Sequence, residues 1–190
     1  MIPTLISDRL VLRPFSLEDS PTVEELASSP LIADTTLNIP HPYPKGGAEA
    51  WIQSHDELAA AKNSFTFAIE KKETSELIGS MAIGIGNDNR AELAYWIGVP
   101  YWGHGYATEA SKLLIRFGFE QKGLNKIWAA AFTRNPASTK VMEKVGMTYE
   151  GTFRQHVIKN GKYEDLSYCS ILKEEYTELL KKEISSTSQS

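Results

Sequence analysis

One cysteine, Cys169, is all the thiol the 190-residue chain contains, which excludes an internal disulfide and a thiolate-rich zinc site. Basic residues are also in short supply. Twenty Lys and Arg face 24 Asp and Glu, for a net charge of −4, the opposite of the positive footprint that binding a phosphate backbone requires. Nucleic acid is therefore not an expected partner. No run approaches the eighteen apolar residues of a membrane span, and Ser7, Asp8 and Arg9 interrupt the start where a secretory signal would carry its apolar core. A cytoplasmic protein is expected, with no membrane partner. The four histidines, His41, His55, His104 and His156, lack the i, i+4 pairing of a helical metal site, so no metal is expected.

What remains is an ordinary globular composition, 42% hydrophobic and 23% charged, of a length that one domain accounts for. We read a single domain over 1–184 and a disordered tail over 185–190, where only Ser, Thr and Gln follow Ile184. Arg9 to Phe15 reads as a strand, and Ser16 with Asp19 as a capping box opening a helix to about Ser28. Pro30 to Pro44, with four prolines, reads mostly as loop; a second helix carries Trp51, Ile52, Leu58 and Ala59. From Ser64 the apolar period falls to two. Three strands follow, to about Ile69, Leu77–Ile85 and Ala91–Val99.

Gly105 to Lys122 has the stripe of a helix, closed by Gly123. Lys126 to Phe132 is a strand, parallel to the one before because a helix crosses between them. Asn135 followed by Pro136 caps a helix that ends at Gly146, and Asn160-Gly161 joins the last two strands as a tight hairpin. A final helix spans about Glu174 to Ile184. The order β-α-α-β-β-β-α-β-α-β-β defines an α+β plan with one parallel crossover in its middle.

The chemistry concentrates between Tyr95 and Ala110. A strand passes through Trp102, Gly103, His104 and Gly105 into a helix start, where free N–H groups and the dipole favour a phosphate or pyrophosphate. Thr108 stands where a dinucleotide fingerprint needs its third glycine, and Gly-Lys-Ser/Thr is absent. A plain strand-to-helix turn is the competing reading of the two glycines.

Five stretches carry a likeness over nearly the whole chain: Ser7-Asp-Arg-Leu-Val-Leu-Arg-Pro14, Trp102-Gly-His-Gly-Tyr-Ala-Thr-Glu-Ala110, Asn135-Pro-Ala-Ser-Thr-Lys-Val-Met-Glu-Lys-Val-Gly-Met147, Glu150-Gly-Thr-Phe-Arg154, and Asp165 with Tyr168. Together they resemble the GNAT superfamily of acetyl-CoA-dependent N-acetyltransferases, in its RimJ/RimL-like branch. The resemblance implies a mixed, mostly antiparallel sheet with a central splayed parallel strand pair, flanked by helices. It implies acetyl-CoA as donor and an amine as acceptor, a protein N-terminus or a small amine, in a monomer or homodimer. Acyl transfer is then direct, in a ternary complex.

By the same resemblance, Trp102, Gly103, His104, Gly105, Tyr106 and Ala107 form the pyrophosphate loop and helix start, although Pro100 stands where the family has Arg or Gln. Trp96, Ile97 and Gly98 border the pantetheine slot, and Asn135 touches CoA or caps its helix. Glu92 is the candidate general base, against the alternative of a solvated strand carboxylate. Ser138 is the candidate acid for the CoA thiolate, because Met142 occupies the position of the tyrosine that other branches use. Leu37 to Lys45, with His41 and Tyr43, corresponds to the acceptor-side loop. Trp51, Trp96, Trp102 and Trp128 read as core or slot walls, and Cys169 as a small buried hydrophobe. A noncatalytic acyl-CoA-binding module is the alternative function.

Overall fold

The computed structural model describes residues 2–61 and 63–187, which fall into two compact units. The first holds the chain up to Ile85 together with Glu92–Leu114; the second holds Gly86–Ala91 and everything from Ile115 onward.

In the first unit, β1 (Leu5–Ile6) and β2 (Leu10–Arg13) form a tight antiparallel pair, closed by the Ser7 N–H on the Leu10 carbonyl at 2.9 Å. β2 pairs with β3 (Ser64–Lys71), and β3 with β4 (Glu76–Ile85), both antiparallel, and β5 (Arg90–Ile97) follows β4 in the sheet. Alternation puts Leu10, Leu12, Phe67, Ile69, Met81 and Ile83 wholly inside. The capping box forms as expected: the Asp19 carboxylate accepts from Ser16 N–H, and it also takes both terminal nitrogens of Arg13 at 2.8 Å. A 3-10 turn, Leu17–Asp19, precedes helix α1 (Ser20–Ala27).

Two expectations need correction here. The stretch taken as loop holds a short helix, α2 (Pro30–Thr35), because Ser29 caps it by accepting from Leu31 N–H while Pro30 supplies a preset first position. The single second helix is two, α3 (Gly47–Gln53) and α4 (His55–Ala61), broken at Ser54, whose hydroxyl turns back onto the Trp51 carbonyl at 2.6 Å.

The second unit takes over within α5 (Tyr106–Arg116), which gives way to a π-helical turn, Phe117–Gln121, rather than running on as α-helix to Lys122. The widened turn adds a residue, and with it Phe117 and Phe119 are both buried although they lie only two apart. β6 (Lys126–Phe132), β8 (Lys162–Leu172) and β7 (Thr148–Lys159) lie in that order, antiparallel throughout. Asn160 and Gly161, both at positive φ, make the β7–β8 turn. Ile127, Ala129, Cys169 and Ile171 share the buried face, with Met142 of α6 (Pro136–Lys144) and Val145 at its C-cap also buried.

The last helix, α7, covers Lys173–Thr187, so residues 185–187 continue the helix instead of opening a tail. The rest of the expected tail, 188–190, lies outside the described residues. No helix among the described residues is long and apolar enough to cross a membrane.

Candidate active site

The Trp96–Ala107 stretch lies in the first unit. Gly98 closes β5 by donating its N–H to the Ile78 carbonyl at 2.8 Å, and a Cβ there would meet Leu26 Cδ2 at 2.8 Å, so a larger residue would require the end of that leucine to shift. Val99–Tyr101 then turns as a 3-10 helix, which the fixed φ of Pro100 suits. Trp102 follows, 41% exposed, with its indole N–H on the Ile97 carbonyl at 2.6 Å.

Gly103 and Gly105 take φ of +78° and +80°, the left-handed region that glycine enters without strain. These turns deliver the chain to α5, whose first N–H groups have no partner inside the helix. His104 is exposed and stacks on Tyr106, with ring centroids 5.6 Å apart. Trp96, by contrast, packs inward with Phe15, Tyr43 and Trp51 against Val23, Ala48, Ile52, Ala68 and Leu77. Tyr43 of the expected acceptor-side loop thus turns to the core, whereas Leu37 and His41 stay exposed.

Glu92 stands four residues before Trp96 on the same strand face. Its side chain reaches solvent, yet desolvation by the surrounding protein holds its carboxyl above the ordinary glutamate value. No ion pair or hydrogen bond offsets that shift among the described residues, unlike Glu109, where burial pushes upward but Ser7 and Arg9 outweigh it.

Asn135 and Ser138 belong to the second unit. Asn135 Oδ1 accepts from Ser138 N–H at 3.4 Å and its Nδ2 donates to Ser138 Oγ at 3.3 Å, so one amide caps α6 and orients the hydroxyl. Further along, Trp128 and Tyr168 stack at 4.9 Å and 14°, and Phe153 leans on Tyr168 at 4.4 Å. Asp165 spends one carboxylate oxygen on the Gln155 N–H at 2.7 Å, fixing the β7 backbone where its register shifts.

The arrangement bonds Trp102 to Ile97 and Ser138 to Asn135. Sequence reasoning missed Arg9 and Glu109. Both lie inside the quoted stretches, but nothing in their spacing announces a pair one hundred residues apart.

Residues 9–148 match the family model of the acetyltransferase (GNAT) domain. An uncharacterized N-acetyltransferase of Bacillus licheniformis, p20, is 34% identical over 175 residues, 91% of this chain and 98% of its own. Among solved structures, RimL, a ribosomal-protein α-N-acetyltransferase in complex with coenzyme A, matches with a TM-score of 0.81 at 17% identity, covering 90% of this chain and 98% of that one. A spermidine N-acetyltransferase from Vibrio cholerae in complex with CoA and spermine matches with a TM-score of 0.77 at 22% identity, covering 90% and 99%. The fold is the α+β arrangement that the sequence implied, a mixed sheet with one parallel pair flanked by helices.

Proposed function

The chain belongs to the GNAT acetyltransferase family, and from that premise we propose that it moves acetyl from acetyl-CoA to a primary amine, with a protein or peptide N-terminal α-amine as its preferred acceptor. One observation carries the donor half: two glycines at positive φ turn the chain directly into the start of α5. Backbone N–H groups presented there suit the diphosphate of acetyl-CoA, and glycine lets an anion approach the main chain closely. Trp96, Ile97 and Gly98 supply strand backbone for the pantetheine arm, Trp102–Ala107 the diphosphate cradle, and Asn135 the cap that keeps Ser138 in place.

Transfer requires a neutral amine. Its nitrogen bonds to the thioester carbon, the C–S bond breaks, and the amine proton leaves as the CoA thiolate departs. Glu92, without an ion-pair partner among the described residues and held by desolvation above its ordinary value, takes that proton directly or through water. Ser138, held by Asn135, donates toward the sulfur. The roles of Glu92 and Ser138 favour an enzyme over a noncatalytic CoA-binding module.

The acceptor argument is one of proton affinity. An α-amine with a pKa of about 7.7–8.0 is partly neutral near pH 7.5, whereas a lysine-type amine near 10.4 must shed far more of its protonated form first. The net charge of −4 favours a cationic acceptor of either kind. The test compares kcat/KM for short peptides with free, small N-terminal residues against spermidine and free lysine, read as acetylated product by mass. Higher values for the peptides support the proposal. A clear preference for the polyamine or the amino acid overturns the acceptor assignment, and tight CoA binding with no turnover on any amine points to the module.

A further inference from the structure

Half-exposed surface ion pairs are usually worth little, because water screens them and long side chains resist ordering. The pair made by Arg9 and Glu109 is built differently. Glu109, in the first turn of α5, accepts three hydrogen bonds on its two oxygens, from Ser7 Oγ at 2.7 Å and Arg9 N at 2.9 Å on one and from Arg9 Nε at 2.7 Å on the other, which Arg9 Nη2 also approaches to 2.6 Å as an ion pair. Arg9 is fixed from its other end too, since its carbonyl accepts from Lys72 N–H at 2.8 Å. A guanidinium so oriented has one remaining terminal nitrogen, and that nitrogen donates to the carbonyl of His104 at 3.1 Å. The guanidinium lies 4.9 Å over the Tyr106 ring, and Nη2 stands 3.6 Å from where a Cβ on Gly105 would sit.

The carbonyl that Arg9 holds belongs to the residue between the two left-handed glycines. A peptide unit has its carbonyl and its N–H on opposite sides, so pinning the His104 oxygen sets the direction of the Gly105 N–H. Left alone, glycine on both sides of His104 widens the range of backbone conformations open to this loop.

We propose that Arg9 is a positioning residue for the donor: clamped by Glu109, it holds the His104–Gly105 peptide in the orientation that presents backbone N–H groups to the diphosphate of acetyl-CoA. The inference rests on the reading of this loop as the diphosphate cradle given above. Arg9 acts through the backbone and takes no part in proton transfer.

The alternative is a plain staple between the β1–β2 turn and α5, and the two roles separate by donor. Acetyl-CoA carries the diphosphate; acetyl-pantetheine lacks it and shares the thioester. Arg9→Ala, Arg9→Lys and Glu109→Gln are compared with wild type for CoA affinity by calorimetry, for kcat and KM with each donor, and for melting temperature. Losing a charge-assisted contact that orders the loop is expected to weaken CoA binding and raise KM for acetyl-CoA about tenfold in Arg9→Ala. Its kcat at saturating acetyl-CoA stays near wild type, and kcat/KM with acetyl-pantetheine is unchanged. Arg9→Lys, which keeps the charge and loses the fork, recovers only part of the affinity.

Equal losses with both donors reduce Arg9 to a staple and overturn the proposal, as does undiminished CoA affinity in Arg9→Ala. Should Arg9→Ala fail to fold, Glu109→Gln and Arg9→Lys are read by the same donor comparison. A wild-type enzyme that uses both donors alike overturns the cradle assignment itself, and the inference with it, which distinguishes that failure from a failure of Arg9 alone.

Discussion

The indole N–H of Trp102 ends on the carbonyl oxygen of Ile97, 2.6 Å away, so the last carbonyl of β5 is tied to the first residue of the glycine loop. The bond fixes where the loop leaves the strand, and 41% of the Trp102 surface remains open to water. Trp102→Phe keeps an aromatic ring, smaller than the indole, and removes the donor. We expect a stability loss of about 1 kcal/mol, the usual net value of one neutral hydrogen bond, and a larger KM for acetyl-CoA. Thermal melts and donor titrations check this; a variant with unchanged KM would show that the bond serves folding alone.

Glu92 should act only when ionised. Desolvation raises its pKa, so activity falls as the pH drops through a value above the ordinary glutamate range near 4.3. Glu92→Gln should bind CoA as wild type does, lose roughly 100-fold or more in kcat, and lose the acid limb of the pH–rate profile, keeping only the limb set by the acceptor amine. Unaltered kcat would remove Glu92 from the mechanism.

A Cβ on Gly103 would meet no atom within 4 Å and one on Gly105 only Arg9 Nη2, at an ordinary contact distance of 3.6 Å, so crowding inside the protein is not what keeps side chains out. Backbone conformation is. A β-branched residue forced to φ near +80° costs on the order of 1–3 kcal/mol. Gly103→Val and Gly105→Val should therefore lower the melting temperature and, by disturbing the backbone that faces the diphosphate, weaken CoA binding; wild-type CoA affinity in both variants would leave the loop a simple turn.

Periodicity made the strands legible: the alternation of Phe65, Phe67 and Ile69 and of Met81, Ile83 and Ile85 is the alternation of one sheet face. Local cap chemistry was equally readable, in Ser16 with Asp19 and in Asn135 before Pro136. The missed features depend on contacts that no local pattern encodes. Ser54 ends α3 through its own hydroxyl, the π turn exists to bury Phe117 and Phe119 together, and Arg9 finds Glu109 only once the sheet is folded. Within the candidate site, residue identities came from motif likeness, whereas the Trp102–Ile97 and Asn135–Ser138 bonds are tertiary facts.

His55 at the start of α4 provides the last prediction. It is 5% exposed, its ring wedged edge-on against Trp51 at 4.5 Å and tilted against Phe15 at 5.4 Å, and among the described residues neither ring nitrogen has a hydrogen-bond partner. Burial lowers its pKa from 6.5 to about 4, despite a small upward pull from the neighbouring Asp56 carboxylate. The unfolded chain accepts the proton near 6.5 and the folded chain only near 4, so stability declines as pH falls through that window and this contribution levels off below it. That difference corresponds to at most about 3.4 kcal/mol. Asp19 and Glu109, whose pKa values are depressed below the ordinary carboxylate range, lose their contributions at lower pH. Replacing His55 by Phe keeps the aromatic contacts and removes both unsatisfied nitrogens. The melting temperature of His55→Phe should therefore change less than wild type between pH 7 and pH 4.5, and the two should differ most at the acidic end. Parallel curves would mean that the imidazole finds a partner or water on protonation.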